Sequence, residues 1–240
     1  MPLDAPPSGQ VDALNTALKH HAAVDILRRA FDAVPNLALV SSFGAQSVAL
    51  LHLAARVKPD VQVLFIDTML LFPETLTYQR EVARKLGLRR VRVLRADTIA
   101  ADPDDTLHQR DVDACCDLRK TQVLNSALAG FDGWITGRKR YQSGARADLP
   151  AFEHEQSTGR MKVNPLAHWS SADVQEYITE NALPRHPLVA RGYPSIGCAP
   201  CTTPVAEGEN PRAGRWRGNK KDECGIHFVD GKAIRTGATT

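Results

Sequence analysis

Between residues 37 and 137 the chain alternates short apolar runs with longer stretches of helical periodicity, a pattern that few folds can satisfy. "LALVSSF" (37–43), "VQVLFIDT" (61–68), "RVRVLRA" (90–96) and "GWITG" (133–137) read as strands. "AQSVALLHLAARV" (45–57), "PETLTYQREVARKLGL" (73–88) and "DLRKTQVLNSALAG" (117–130) read as helices. Pro73 falls in the first turn of its helix, where a missing N–H costs nothing. Residues 11–34 add one or two helices ahead of the first strand. Such alternation predicts an α/β fold, a parallel sheet with helices on both faces. After residue 137 the texture changes. Residues 138–166 read as polar loop, 171–183 as a serine-capped helix, and little regular structure is expected beyond Pro184. The expected division is an α/β unit over residues 1–204 and an irregular, mobile C-terminal segment over 205–240.

Composition narrows the function classes. The 240 residues suffice for one well-filled domain. No apolar run approaches the roughly 20 residues that cross a bilayer. The start, "MPLDAPPSGQ", lacks the basic-then-apolar pattern of a signal peptide, so a cytoplasmic location is expected. In that reducing compartment five cysteines point to a metal or to chemistry rather than to disulfides, and an odd number leaves one unpaired. A net charge of +3, from 30 basic and 27 acidic residues, is too mild to predict a nucleic-acid binder on its own. Local clusters are more telling: "GRKR" (137–140), Arg146, and Arg212, Arg215, Arg217, Lys220 and Lys221 flank a cysteine-rich region. They favour a small anionic ligand.

Ligands of open parallel sheets bind beyond the carboxyl ends of the strands, where helix N-termini present free N–H groups. "SSFGAQS" (41–47) occupies such a place, with hydroxyls on Ser41, Ser42 and Ser47 and a Gly44 that admits an anion close to the backbone. It lacks the G-x-x-x-x-G-K-[ST] pattern and also fits a plain strand-to-helix connection. Asp67 and Thr68 end the next strand, placed to bond a sugar or base or to cap the following helix. Cys115 and Cys116 are adjacent, while Cys198 and Cys201 form a C-x-x-C. Four thiolates suit zinc or an iron–sulfur cluster. Neighbouring cysteines span two corners around a single ion with difficulty, whereas a cluster offers separate iron corners. A redox pair at 198/201 and buried small hydrophobes at 115/116 are the plainer alternatives. Cys224, in "KDECGIH" (221–227), stands in a stretch too polar for core.

"CCDLRK", "GYPSIGCAPCT", "GENPRAGRW" and "ECGIH", together with "SSFGAQS", "FIDTMLLFPET", "ITGRKRYQSGARADL" and "LAHWSSADVQEYI", occur in an order that resembles the assimilatory adenylyl-sulfate (APS) reductases. These are the iron–sulfur branch of the APS/PAPS reductase family. The resemblance implies an adenine-nucleotide α-hydrolase-like fold, and a [4Fe-4S] cluster on Cys115, Cys116, Cys198 and Cys201. It implies Cys224 as nucleophile. His227, three residues on, is a candidate catalytic residue that could favour the thiolate, or else cap the segment's end or contact substrate. Lys120, Lys139, Arg140, Arg146, Arg212 and Arg215 match family positions near substrate or cluster, and Ser41, Ser42, Gly44 and Asp67 are the remaining nucleotide-binding candidates. With four thiols on the cluster, Cys224 is the one free to displace AMP from APS, leaving an S-sulfonate. An external dithiol protein, thioredoxin or glutaredoxin by resemblance, would then release sulfite. Gly208, Gly214, Gly218 and Gly225 would let the tail move.

Two departures from the family pattern stand out. Met69 replaces the more usual Gly after Asp-Thr, and His186-Pro187 replaces an Asn-Pro. A homo-oligomer is expected, with neither nucleic acid nor membrane as partner. The alternatives are a PAPS-using reductase, an ATP-dependent adenylating enzyme of the pyrophosphatase superfamily, whose S-G-G-x-D-S loop is incomplete here, and a zinc-bearing nucleic-acid module.

Overall fold

The computed structural model describes residues 8–219 and 221, and the backbone of 228–229 and 232–233. Helices α1 (Ser8–Ala17) and α2 (Ala23–Ala33) precede strand β1 (Leu37–Ser41), α3 (Ser47–Val57), β2 (Gln62–Ile66), α4 (Pro73–Lys85) and β3 (Val91–Leu94). Then come α5 (Leu107–Arg110), α6 (Val112–Cys116), a π-helical turn (Asp117–Thr121), α7 (Gln122–Ala127) and β4 (Gly133–Ile135). Strands β5 (Phe152–Glu155) and β6 (Arg160–Val163), helix α8 (Ser171–Glu180) and the short pair β7 (Phe228–Val229) and β8 (Lys232–Ala233) complete the order.

Among the described residues, six strands form one sheet in the order β3-β2-β1-β4-β6-β5, parallel except for β5. The chain winds outward from β1 to β3 and then returns to β1's other edge as β4. The crevice between β1 and β4 is therefore the switch point at which such sheets bind ligands. The alternation predicted from sequence is borne out, with one correction. Residues 152–155 and 160–163, expected to be loop, are strands. Met161 and Val163 enter the main core while Lys162, 1% exposed, lies on the other face among charged partners, so the segment looked too polar for a strand.

The main core covers one face, where Ile26, Leu27 and Ala30 of α2 meet Leu50, Leu51 and Ala54 of α3 and Val174 and Ile178 of α8. Their three-and-four spacing puts each set on one stripe of its helix. A smaller cluster of Leu64, Leu94, Leu124, Leu128 and Trp134 covers the other face beneath α7. At the β5 edge, Asn15 of α1 donates to Phe152 O at 2.8 Å and accepts from Phe152 N at 2.9 Å, closing backbone groups that an open edge would leave bare. Pro73 starts α4 as expected, and Ser170 caps α8 by accepting from Asp173 N. Within residues 205–219 the described chain is hydrogen-bonded to the stretch before it. Thr203 N donates to Gly214 O at 2.8 Å and Trp216 N to Cys201 O at 3.0 Å. A Cβ on Gly214 would overlap the Thr203 carbonyl, so only glycine fits at this close approach.

His186 stands where the resemblance expects an Asn. Its Nδ1 accepts from Leu188 N at 3.2 Å, as an asparagine oxygen would, and caps the short helix Pro187–Arg191. That fixes the proton on Nε2, which donates to Thr75 Oγ1 at 3.0 Å. The ring is 1% exposed and packs on Tyr78 with 4.7 Å between centroids. Burial, only partly offset by the Glu74 charge, lowers its pKa to about 4. An unfolded histidine accepts a proton near pH 6.5, so stability falls as pH drops below 6.5 and the loss levels off near pH 4. Between pH 7 and pH 5 this group is expected to cost about 2 kcal/mol. His186→Asn preserves the cap and removes the titration. By urea denaturation, the stability lost between pH 7 and pH 5 should be about 2 kcal/mol smaller in the variant than in the wild type.

Candidate active site

At the carboxyl ends of β1 and β4 the structure opens a cavity of about 520 Å³. One wall is the β1–α3 loop. Ser41 Oγ accepts from Phe43 N at 3.2 Å, and Ser47 Oγ accepts from Gly44 N at 3.1 Å and lies 3.5 Å from Ser42 Oγ. A Cβ on Gly44 would stand 3.3 Å from Ile196 O, so glycine lets the loop before Cys198 close over this wall. Val40, Ile66 and Trp134 give an apolar floor. Trp134 is braced from below: its Nε1 donates to Glu155 Oε1 at 3.1 Å, and the Lys162 ammonium lies 4.6 Å from its ring centroid.

The rest of the lining is cationic. Lys120, Arg138, Lys139, Arg146, Arg212 and Arg215 all face the cavity, and among the described residues no Asp or Glu does. Arg138 is held against Glu153, and Asn164 bridges that carboxylate to Thr136. Arg215 lies over Gly197, where any Cβ would overlap its guanidinium, and 4.4 Å from the Trp216 ring. Lys139 is 2% exposed, and its Nζ donates to Gly137 O at 2.9 Å.

The cysteine pairs converge on the same region. Cys115, Cys116 and Cys198 are buried, Cys201 half-buried, and none of the four is in a disulfide. Burial pushes the Cys115 thiol up to about 11, helped by the neighbouring sulfurs of Cys116, Cys198 and Cys201. Burial, then Cys198, likewise raises Cys201. Burial also opposes ionisation of Cys198, but Lys120, the Thr68 hydroxyl at 3.3 Å and Arg215 outweigh it and hold this thiol below its ordinary value. Lys120 thus touches both the cavity and a sulfur. It leaves from the π-helical turn that follows Cys116, a local widening that recurs at functional sites.

A buried strut joins the two pairs. Arg119, 1% exposed, bonds the carboxylate of Asp102, that of Asp105 at 2.6 Å, and Thr68 O at 2.8 Å. Thr68 meets Cys198, and Leu70 O accepts from Ala199 N at 2.7 Å. Among the described residues, no three His, Cys, Asp or Glu side chains stand close enough to grip one ion. Three buried N–H groups beside the cysteines nonetheless find no acceptor among the described residues: Arg119 Nε, Arg215 Nε and Trp216 Nε1. Four thiols ringed by unsatisfied donors fit a group rich in electron-donating sulfur.

The cavity brings together Ser41, Ser42, Gly44, Lys120, Lys139, Arg146, Arg212 and Arg215 as the sequence suggested, with Cys198 in its wall. Two expectations are not met. Asp67 does not line the cavity: its Oδ1 accepts from Met69 N and its Oδ2 from Arg95, both at 2.9 Å. It supports the turn at Met69, whose φ of +61° a glycine would hold without strain. Arg140 turns away to Leu149 O at 2.9 Å, and Arg138 faces the cavity in its stead. Sequence reasoning also missed Trp134, Trp216, Gln46 and Asn210. Nothing in their local pattern marks them, although "GRKR" did mark Arg138's neighbourhood. Cys224 and His227 lie outside the described residues.

Comparison with known proteins agrees with this geometry. Residues 36–204 match the phosphoadenosine phosphosulfate reductase domain. An adenosine 5'-phosphosulfate reductase of Chelativorans sp. is 43% identical, covering 99% of this chain and 98% of that one. A phosphoadenosine 5'-phosphosulfate reductase of Gloeobacter violaceus is 41% identical over 80% of this chain and 82% of its own length. The crystal structure of a phosphoadenylyl-sulfate reductase from Candida auris, a phosphate complex, superimposes with a TM-score of 0.72 at 31% identity, over 82% of this chain and 98% of that one. A switch-point cavity with basic walls, an ordered set of motifs and a matching fold lead to one assignment: the chain belongs to the phosphoadenosine phosphosulfate reductase family.

Proposed function

We propose that the chain reduces adenosine 5'-phosphosulfate to sulfite and AMP, within sulfate assimilation, by a thiol-dependent route. The observation that carries this reading is the basic lining of a cavity walled by Cys198, to which no Asp or Glu contributes among the described residues. Its polarity orients a nucleotide. The base suits the floor of Val40, Ile66 and Trp134, and the phosphosulfate suits the end held by Lys139, Arg146 and Arg212.

The Cys224 thiolate attacks the sulfur of the sulfate group. The bond from that sulfur to the bridging phosphate oxygen breaks, and AMP leaves with the electron pair. An anion approaches an anion here, so the surrounding cations lower the barrier. A single such preorganised donor is worth on the order of 100-fold in rate. A dithiol reductant, of the thioredoxin or glutaredoxin kind, then attacks the Cys224 sulfur of the S-sulfonate. Sulfite departs with the bonding pair, and the reductant's second thiol resolves the mixed disulfide, so the thiols supply both electrons.

Cys115, Cys116, Cys198 and Cys201 would hold a [4Fe-4S] cluster. When bound, that cluster would supply compact charge and polarisable sulfur rather than electrons. The donor set and the three orphaned N–H groups support it, and Lys120, bonded to Cys198, would carry its electrostatic influence to the substrate. Among the described residues, no helix is long and apolar enough to cross a membrane.

Anaerobic purification, iron and sulfide analysis, and sulfite assays on APS and PAPS with either dithiol protein test the scheme together. The expected result is a brown protein with about four irons per chain that prefers APS. A colourless protein with one zinc and no sulfite release would overturn it.

A further inference from the structure

We propose that nucleotide binding in this cavity takes up a proton onto Lys139, which shifts from amine toward ammonium when the ligand's anionic end arrives. The inference rests on the substrate reading above, but its geometry stands apart from it. An ammonium has three N–H bonds to satisfy. Among the described residues, Lys139 finds one acceptor, the carbonyl of its near neighbour Gly137. The side chain is 2% exposed, so little water replaces the missing acceptors.

Among the described residues, the charges that act on it have one sign. Arg146 faces it from the turn Gly144–Arg146 and Arg212 from the loop after Cys201, while Lys120 and Arg215 share the cavity. Arg138 is already bound to Glu153, and no carboxylate lines the cavity among the described residues. Burial, followed by the charges of Arg146 and Arg212, lowers the pKa of Lys139 to about 7. A phosphosulfate inserted among these groups reverses the balance. It carries two negative charges, supplies acceptors, and screens the guanidinium groups from one another. The incoming proton comes from solvent, and the lysine lone pair forms the new N–H bond.

This coupling makes the lysine a sensor of ligand charge. Each pH unit above 7 would cost about tenfold in affinity, because the free protein must be protonated before or during binding. Arginine at the same position would pay no such penalty, having no accessible neutral form.

The test uses Cys224→Ser protein, purified with its metal in place, so that APS binds without turnover and Cys224 does not titrate. APS itself has no group that ionises between pH 6 and pH 8. Calorimetric titration in buffers of different ionisation enthalpy should give an uptake of about 0.1 proton at pH 6 and about 0.9 at pH 8. The Kd should rise about tenfold over the same span. Lys139→Arg in this background should bind APS with neither uptake nor pH dependence. Lys139→Gln, which needs no extra room, should bind more weakly and also lose the uptake. APS binding without proton uptake at pH 8, or uptake undiminished in both variants, would overturn the inference while leaving the substrate reading intact. Absence of APS binding at every pH would remove both.

Discussion

Cys224→Ser is expected to bind APS and to release no measurable sulfite, a loss on the order of 10⁴-fold or more. A serine hydroxyl is almost wholly protonated at neutral pH, and an enzyme deprived of its nucleophile keeps only what binding and electrostatics provide. The variant should retain its iron, because the proposal assigns the metal to the other four cysteines. Wild-type protein given labelled APS without reductant should carry one label per chain, removable by a dithiol, and the serine variant none. Iron lost with Cys224, or turnover surviving its replacement, would break the division of labour among the five sulfurs.

Arg119→Met is expected to destabilise the fold by about 3–5 kcal/mol, the cost of stranding a buried charge. Asp102 is 1% exposed and depends on this partner. Burial pushes its carboxyl up, yet the bond from Arg119 and the backbone bond from Leu107 more than offset this and leave it below the usual carboxylate value. Removing the guanidinium leaves Arg110 Nη2, at 3.8 Å, as a remote cationic neighbour. The double variant Arg119→Met, Asp102→Leu should recover most of the loss, because an apolar pair of similar volume avoids the desolvation penalty. It should not recover metal loading, since Thr68 O, which Arg119 holds beside the Cys198 loop, is still released. Urea denaturation and iron content measured on the same samples separate these two effects. Normal stability in the single variant would refute the argument.

The candidate site was legible to very different degrees. The cysteine pairs and the basic clusters could be read because their chemistry depends on residue type and spacing, which the linear chain displays. Asp67 could not be read correctly. A carboxylate at the end of β2 suits a ribose as well as it suits Arg95, and the choice depends on Arg95, 28 residues later, reaching back across a neighbouring strand. Arg138 and Arg140 stand in one cluster, yet one faces the cavity and the other a carbonyl in the following loop. Trp134 carried no signal at all, since its position depends on Lys162 and Glu155 from strands that looked like loop.

The amino-acid order thus determined the βα alternation, the grouping of thiols and the anionic character of the ligand, all set by periodicity and by side-chain chemistry within short windows. Tertiary structure decided which cations share one cavity, which carboxylates are consumed inside the protein, and how Arg119 brings two distant cysteine pairs to bear on each other. Those outcomes depend on burial and on partners tens of residues apart. Once water is excluded, a charge must find its counterpart wherever the fold has placed it.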